Sequence, residues 1–322
     1  MIKALSALAL SLALFVSLGA AQSDERQSGF VTVPGGPVWY EVMGGGDGVP
    51  LIVLHGGPGG TSCGYQALAP LGDERAVIRY DQLGSGRSGR PTDTDLWNRD
   101  RFVEELDALR DALELDEVHI LGHSWGGALA AYYYLETEGA GVRSLVLSSP
   151  LISTRLWIED TNYLRTLLPR RVQRILTRHE EAGTTDSKAY RAAEDVFNEE
   201  FVRRGDAVES YSCPGAPWNP VIYNHMWGPT EFFATGTLQD FDLTARLAEI
   251  DVPTLFVTGE FDEARPQTIE GFADLVPGAE FRVIPGVGHA SISRGPEQYR
   301  DMVRAFLDRA EAAAEPQNNQ DR

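Results

Sequence analysis

Lysine is almost absent from this chain: of 28 basic residues only Lys3 and Lys188 are lysines, the rest arginines. Cysteine is as scarce, with two in 322 residues, Cys63 and Cys213. Two cysteines cannot build a disulfide scaffold or a four-thiolate zinc site. His179-Glu180-Glu181-Ala182-Gly183 begins like a zinc-protease helix but lacks the second histidine that would complete a metal face. No Gly-Lys pair of a phosphate-binding loop occurs. Positive charge is short overall, because 47 acids against 28 bases leave a net charge of −19. Such a surface repels phosphate backbones and anionic lipid, which argues against nucleic-acid binding and a polybasic anchor. What is present is ordinary globular usage, 43% hydrophobic and 23% charged, so intrinsic disorder is excluded too.

The first residues stand apart. Lys3 precedes an apolar stretch from Ala4 to Leu18, then Gly19-Ala20-Ala21 before polar Gln22 and Ser23. A basic start, a short apolar run and small residues are the pattern of a secretory signal peptide, too short to span a bilayer. Residues 1–21 are therefore expected to be removed, giving a secreted or periplasmic protein with no stable membrane insertion. An oxidising compartment would allow Cys63 and Cys213 to pair. The sequence leaves open whether they meet.

Beyond the leader, short apolar runs alternate with helical stretches, with no repeat at solenoid periods. The runs are Val38–Val42, Leu51–Leu54, Ala76–Tyr80, Val118–Leu121, Ser144–Ser148, Thr254–Val257 and Phe281–Ile284. Between them, Phe102–Leu115, Ala128–Leu135, Gln267–Leu275 and Gln298–Ala314 read as helices. Continuous apolar runs bounded by glycine predict a buried, mostly parallel sheet with helices on both faces. Residues 154–240 break the pattern with helical periodicity, arginines and aromatics. The expected organisation is a sheet core over 22–153 and 241–314, a helical lid over 154–240, and a polar, disordered tail over 315–322.

The chemistry gathers at the ends of the runs. Gly122-His123-Ser124-Trp125-Gly126 is a G-x-S-x-G elbow with a strand before it and a small apolar helix after it. The turn lifts the Ser124 hydroxyl above the sheet at a helix N-terminus. His55-Gly56-Gly57-Pro58-Gly59 ends an earlier run and can aim a backbone N–H, with that of Trp125, at a carbonyl oxygen. In this architecture the order is serine, acid, histidine. His289 follows the last run and Asp262 the one before, with Glu260 and Glu263 as rival acids. His119 and His123 read as packing residues and His225 as structural. Gly84-Ser85-Gly86-Arg87-Ser88-Gly89 formally fits a dinucleotide fingerprint, but Arg90-Pro91 prevents the helix that must follow.

Taken together, His55–Gly59, Asp81-Gln82-Leu83-Gly84-Ser85-Gly86-Arg87-Ser88, Gly122–Gly127, Gly259-Glu260-Phe261-Asp262 and Gly288-His289 resemble the proline iminopeptidase family of α/β-hydrolases. That family includes tricorn-interacting aminopeptidases and L-amino-acid amidases. The resemblance spans about residues 30–312. It implies the α/β-hydrolase fold, Ser124 as nucleophile, His289 as base, Asp262 as its orienter, and Gly57 with Trp125 as oxyanion donors. A serine, histidine and aspartate acting together need no metal or organic cofactor. Gly228-Pro229-Thr230-Glu231-Phe232 resembles the family's Gly-Pro-Asn-Glu-Phe segment, with Thr230 in place of Asn, and points to Glu231 as a ligand for the substrate's free amine. A second such acid is expected near the start of the insertion, at Glu200 or Glu199.

The expectation is a serine aminopeptidase acting on small peptides or amino-acid amides. The alternative is a carboxylesterase or lactonase with the same triad, separated by the lid carboxylate, which an ester does not need. Dehalogenase and epoxide hydrolase chemistry would place Asp at the elbow.

Overall fold

The computed structural model describes residues 26–206 and 213–314. The expected leader (1–21) and tail (315–322) lie outside the described residues. In chain order the elements are β1 (Arg26–Val33), β2 (Gly36–Leu54), β3 (Arg75–Asp81), α1 (Arg99–Ala112), β4 (Val118–His123), α2 (Trp125–Glu136) and β5 (Val142–Ser148). Next come α3 (Thr154–Arg165), α4 (Arg170–Glu181), α5 (Lys188–Phe197) and α6 (Pro220–Met226). The chain returns to the sheet with β6 (Thr254–Gly259), α7 (Pro266–Ala273), β7 (Glu280–Ile284), α8 (Ser291–Arg294) and α9 (Pro296–Ala314).

Two expected runs, Val38–Val42 and Leu51–Leu54, are the limbs of one long strand, β2, joined through a glycine-rich bend at residues 44–48. The first limb pairs with β1 and β3, the second with β3 and β4, so β3 lies between them. β1 is not among the expected strands. It is an edge strand begun by Arg26, Gln27 and Ser28, residues with little strand preference, and it is held by its antiparallel ladder to β2.

From the second limb of β2 through β4, β5, β6 and β7 the sheet is parallel. Both faces are covered, which explains the unbroken apolar runs. Ile52, Leu54 and Ile120 point to one side, against Phe102, Leu106 and Leu129. Leu51, Val53 and Leu121 point to the other, against Tyr65, Tyr299 and Phe306. The register sets the strand ends level: Leu54 opposes Gly122, Gly122 opposes Leu147, Ser148 opposes Val257 and Gly259 opposes Ile284. The loops after these strands therefore emerge on one edge, where open α/β sheets build sites.

Between β5 and β6 a helical layer has its own small core of Leu164, Leu176, Tyr190, Phe197, Phe201 and Phe232. The two cysteines meet: Cys63, at the start of a 3-10 segment after β2, is bonded to Cys213, with their Cα atoms 5.9 Å apart. The bridged segment is also bound by hydrogen bonds from Asn219 N–H to Gly59 O (2.9 Å) and from Asn219 Nδ2 to Gly84 O (2.8 Å).

A bridge across a sequence separation of 150 chiefly restricts the unfolded chain. Cys63→Ser is expected to lower the unfolding free energy by about 2–5 kcal/mol in denaturant titration. Amide exchange over residues 213–226 should quicken more than in the sheet. Unchanged exchange there would show that the Asn219 bonds alone hold the segment.

Candidate active site

The elbow depends on two backbones touching. A Cβ on Gly122 would lie 2.1 Å from Gly126 O, and one on Gly126 would lie 2.2 Å from Leu54 O. Only glycine lets β4, α2 and the end of β2 approach so closely. Ser124 itself takes φ 57°, ψ −121°, a conformation L residues rarely adopt. It is held from β5 and the loop that follows it: Ser124 N–H donates to Ser148 O (2.9 Å), and Leu151 N–H donates to Ser124 O (3.1 Å).

The Gly56-Gly57 turn is braced from behind. Gln82 N–H donates to His55 Nε2 (3.0 Å), so the His55 proton sits on Nδ1 and is donated to Gly56 O (2.8 Å). Burial lowers the His55 pKa, which keeps the ring neutral in this role. Gln82 also donates Nε2–H to His55 O (2.9 Å) and accepts the Trp125 indole N–H (3.0 Å). One glutamine thus ties the turn to the first residue of α2. Gly57 has φ 123°, in the region that favours glycine.

Asp262 and His289 meet at 2.7 Å, carboxylate Oδ1 to imidazole Nδ1. Asp262 is 1% exposed and also accepts Ser149 Oγ–H (2.6 Å), Ala264 N–H (2.9 Å) and Gly259 N–H (3.2 Å). Burial alone would raise its pKa, but the His289 charge and these donors outweigh it and hold the carboxyl below its usual range. The rival Glu260 turns to the surface, where it accepts Gly286 N–H (2.8 Å). The His289 loop is stitched to the helical layer: His289 N–H donates to Phe201 O (2.8 Å) and Ala290 N–H to Val202 O (2.9 Å).

A cavity of about 650 Å³ opens over this edge, lined by Gly57, Ser124, His289 and Glu231. Glu231 is fixed by the Tyr223 hydroxyl and by Trp157 Nε1–H (3.3 Å). Two further acids line the cavity. Glu194 accepts Thr230 Oγ1–H at 3.1 Å. Glu263 lies with Oε1 3.7 Å from His289 Nε2, and its other oxygen is buried without a hydrogen-bond partner among the described residues. Burial raises all three pKa values. For Glu194 the value reaches about 7, with the charges of Glu231, Asp195 and Glu180 adding to burial and the Thr230 hydrogen bond opposing.

Glu200 is not brought to this site, nor is Glu199. Both are solvent-exposed and ion-paired, Glu199 to Arg203 (2.8 Å) and Glu200 to Arg204 (2.9 Å). The acid that the insertion supplies is Glu194, one to two turns earlier. Its signal was in the sequence: it shares a helical face with Tyr190, Ala193, Phe197 and Phe201, and an acid on an apolar face needs a reason. The Gly84–Gly89 segment forms consecutive turns, with Ser85 N–H on Gln82 O and Ser88 N–H on Ser85 O. Asp81 ties it to the end of the bridge-bearing loop through Ser62 N–H (2.8 Å) and Arg87 N–H (2.9 Å). His119 and His123 pack against Ser144 and Ser148.

Over residues 49–296 the sequence matches the family described as alpha/beta hydrolase fold, the class to which the sheet and elbow assign it. A proline iminopeptidase from Heyndrickxia coagulans is 46% identical over 282 residues, 87% of this chain and 98% of that protein. One from Levilactobacillus brevis is 36% identical over 80% of this chain and 88% of that protein. The crystal structure of a proline iminopeptidase from Mycobacterium smegmatis superposes with a TM-score of 0.78 at 34% identity, covering 89% of this chain and all of that one. The chain belongs to the proline iminopeptidase family of α/β hydrolases.

The pocket's charge sets the His289 ionisation. Burial would lower its pKa, but Asp262, Glu263 and Glu231 together push it up to about 9 from the usual 6.5. Because the folded value is the higher one, the charged ring stabilises the fold below pH 6.5, and that contribution is lost as pH rises through about 9. The His289 imidazole resonance should titrate in the free protein with a midpoint near 9, and Glu263→Gln should move it down. A midpoint of 6.5 in both proteins would mean the acids do not act on His289.

Proposed function

We propose that the protein is a serine aminopeptidase that releases one residue from the free amino end of small peptides or amino-acid amides. Ser124 attacks the carbonyl carbon of the first residue. His289 takes the serine proton and gives it to the leaving amine. Asp262 holds the imidazole and steadies its positive charge. The N–H groups of Gly57 and Trp125 receive the oxyanion. Water then cleaves the acyl-enzyme by the same route in reverse. Proline or another small apolar residue is the expected first residue.

One observation carries this reading over the esterase alternative: three carboxylates, Glu194, Glu231 and Glu263, face one cavity beside the His289–Asp262 pair. Ionised acids without cations raise one another's pKa, as burial already does here. An ammonium among them restores the balance and marks the end of the substrate. A neutral ester has no use for them. Under this proposal Glu200 has no part, and Glu194 and Glu263 join Glu231. The reading of residues 1–21 as a leader and the Cys63–Cys213 bridge support export to an oxidising compartment.

Ser124→Ala should abolish turnover and fluorophosphonate labelling with the fold intact by circular dichroism. Labelling that persists at Ser85 or Ser148 would remove Ser124 from the mechanism.

Glu231→Gln should cut kcat/KM for free-amine anilides by roughly 10²-fold or more, since breaking a buried charge pair costs about 3–5 kcal/mol. Hydrolysis of a small neutral ester should be nearly spared. N-acetylated anilides should be poor substrates of both proteins. Equal loss on ester and amine substrates would leave Glu231 with a structural role only.

A further inference from the structure

Four of this acidic chain's arginines are arranged unlike the others. Among the described residues, the remaining arginines reach a carboxylate, a carbonyl oxygen or another side chain. Arg170, Arg171, Arg174 and Arg178 do not, and all four are exposed on one helix, α4. Arg170, Arg174 and Arg178 recur every fourth residue and line a shallow surface hollow with Gln173, Thr177 and Glu181. The opposite face of α4 is apolar and belongs to the core of the helical layer through Val172, Ile175 and Leu176.

This arrangement works against the start of the helix that carries it, although Arg178 in the last turn is favourably placed. Like charges four residues apart repel. Arg170 and Arg171 stand in the first turn, where the helix dipole disfavours cations, and no acid is there to balance them. The net charge of −19 supplies ample acids, yet none is paired with these four. Three residues before Arg170, in the link from α3 to α4, the chain exposes a large apolar side chain, Leu167 (60%). Cations flanking exposed apolar groups match the chemistry of a lipid interface, where arginine meets phosphate and leucine enters the acyl boundary. No helix among the described residues is long and apolar enough to cross a membrane, so such contact would be at the surface.

We propose that the outer face of α4, with Leu167, is a docking surface for an anionic lipid bilayer. The chain's overall charge opposes such binding, and the patch is a local reversal of it. Attachment is therefore reversible and salt-sensitive.

Cosedimentation with phosphatidylcholine vesicles, with and without phosphatidylglycerol, tests this. The protein should bind the phosphatidylglycerol vesicles at low salt, release them at high salt and ignore pure phosphatidylcholine. Replacing Arg170, Arg171, Arg174 and Arg178 by Gln should lower the partition coefficient by roughly 10²-fold or more, from about fivefold per arginine. Leu167→Ser should weaken binding further in either background. Hydrolysis of a soluble anilide should be unchanged in each variant, which shows that the fold is intact. Failure of the wild type to bind, or equal binding by the four-Gln variant, would overturn the proposal. Binding to soluble polyphosphate as tight as to vesicles, with Leu167→Ser without effect, would assign the patch to a soluble polyanion and overturn the bilayer.

Discussion

A carboxylate buried to 1% exposure is the constraint around which this molecule is arranged. Asp262 can stay ionised there only if it is surrounded by donors, because an unpaired buried charge is prohibitively unstable. Its donors come from three places: Ser149 after β5, the backbone of its own loop, and His289 after β7. Those places are near one another because the strands end level. Ser149 does double service, since its backbone N–H also donates to Val257 O and ties β5 to β6 where both end. Disturbing the register by one residue would invert the faces and strand the charge.

The helical layer shapes the site as well as covering it. Phe201 O and Val202 O receive the backbone of the His289 loop, and Trp157 packs edge-on to the imidazole at 5.4 Å. The layer also brings Glu194 and Glu231 to the cavity, through Thr230 and Tyr223. Motion of the layer as a rigid body would thus disturb the imidazole. Trp218, 51% exposed, lines the same cavity.

Much of this was legible in the chain. The parallel core could be read because both sheet faces are buried, which turns each strand into an unbroken apolar run. The elbow could be read because its glycines are demanded by contacts between backbones. Asp262 could be preferred over its neighbours only by motif, and the structure adds the reason: Glu260 faces solvent and Glu263 faces the cavity. β1 was hidden because an edge strand is specified by its partner more than by its own residues. Glu200, to which the resemblance points, does not reach the pocket because α5 does not continue regularly. The chain widens into a π-turn over Asn198–Val202, which carries Glu199 and Glu200 outward to Arg203 and Arg204. Pairing of the cysteines was beyond the sequence, since it depends on the insertion folding back over the first loop.

The bridge between Cys63 and Cys213 divides the chain topologically. Residues 63 to 213 form a covalent ring that contains Ser124, whereas Asp262 and His289 lie on the tail that leaves it. The exposed Ala182-Gly183-Thr184 turn after α4 is also within the ring. A single peptide bond cut there opens the ring without releasing either piece. A nicked molecule would keep one covalent connectivity, with Ser124, Asp262 and His289 still on the same tether, and would separate into two chains only when the disulfide is also reduced.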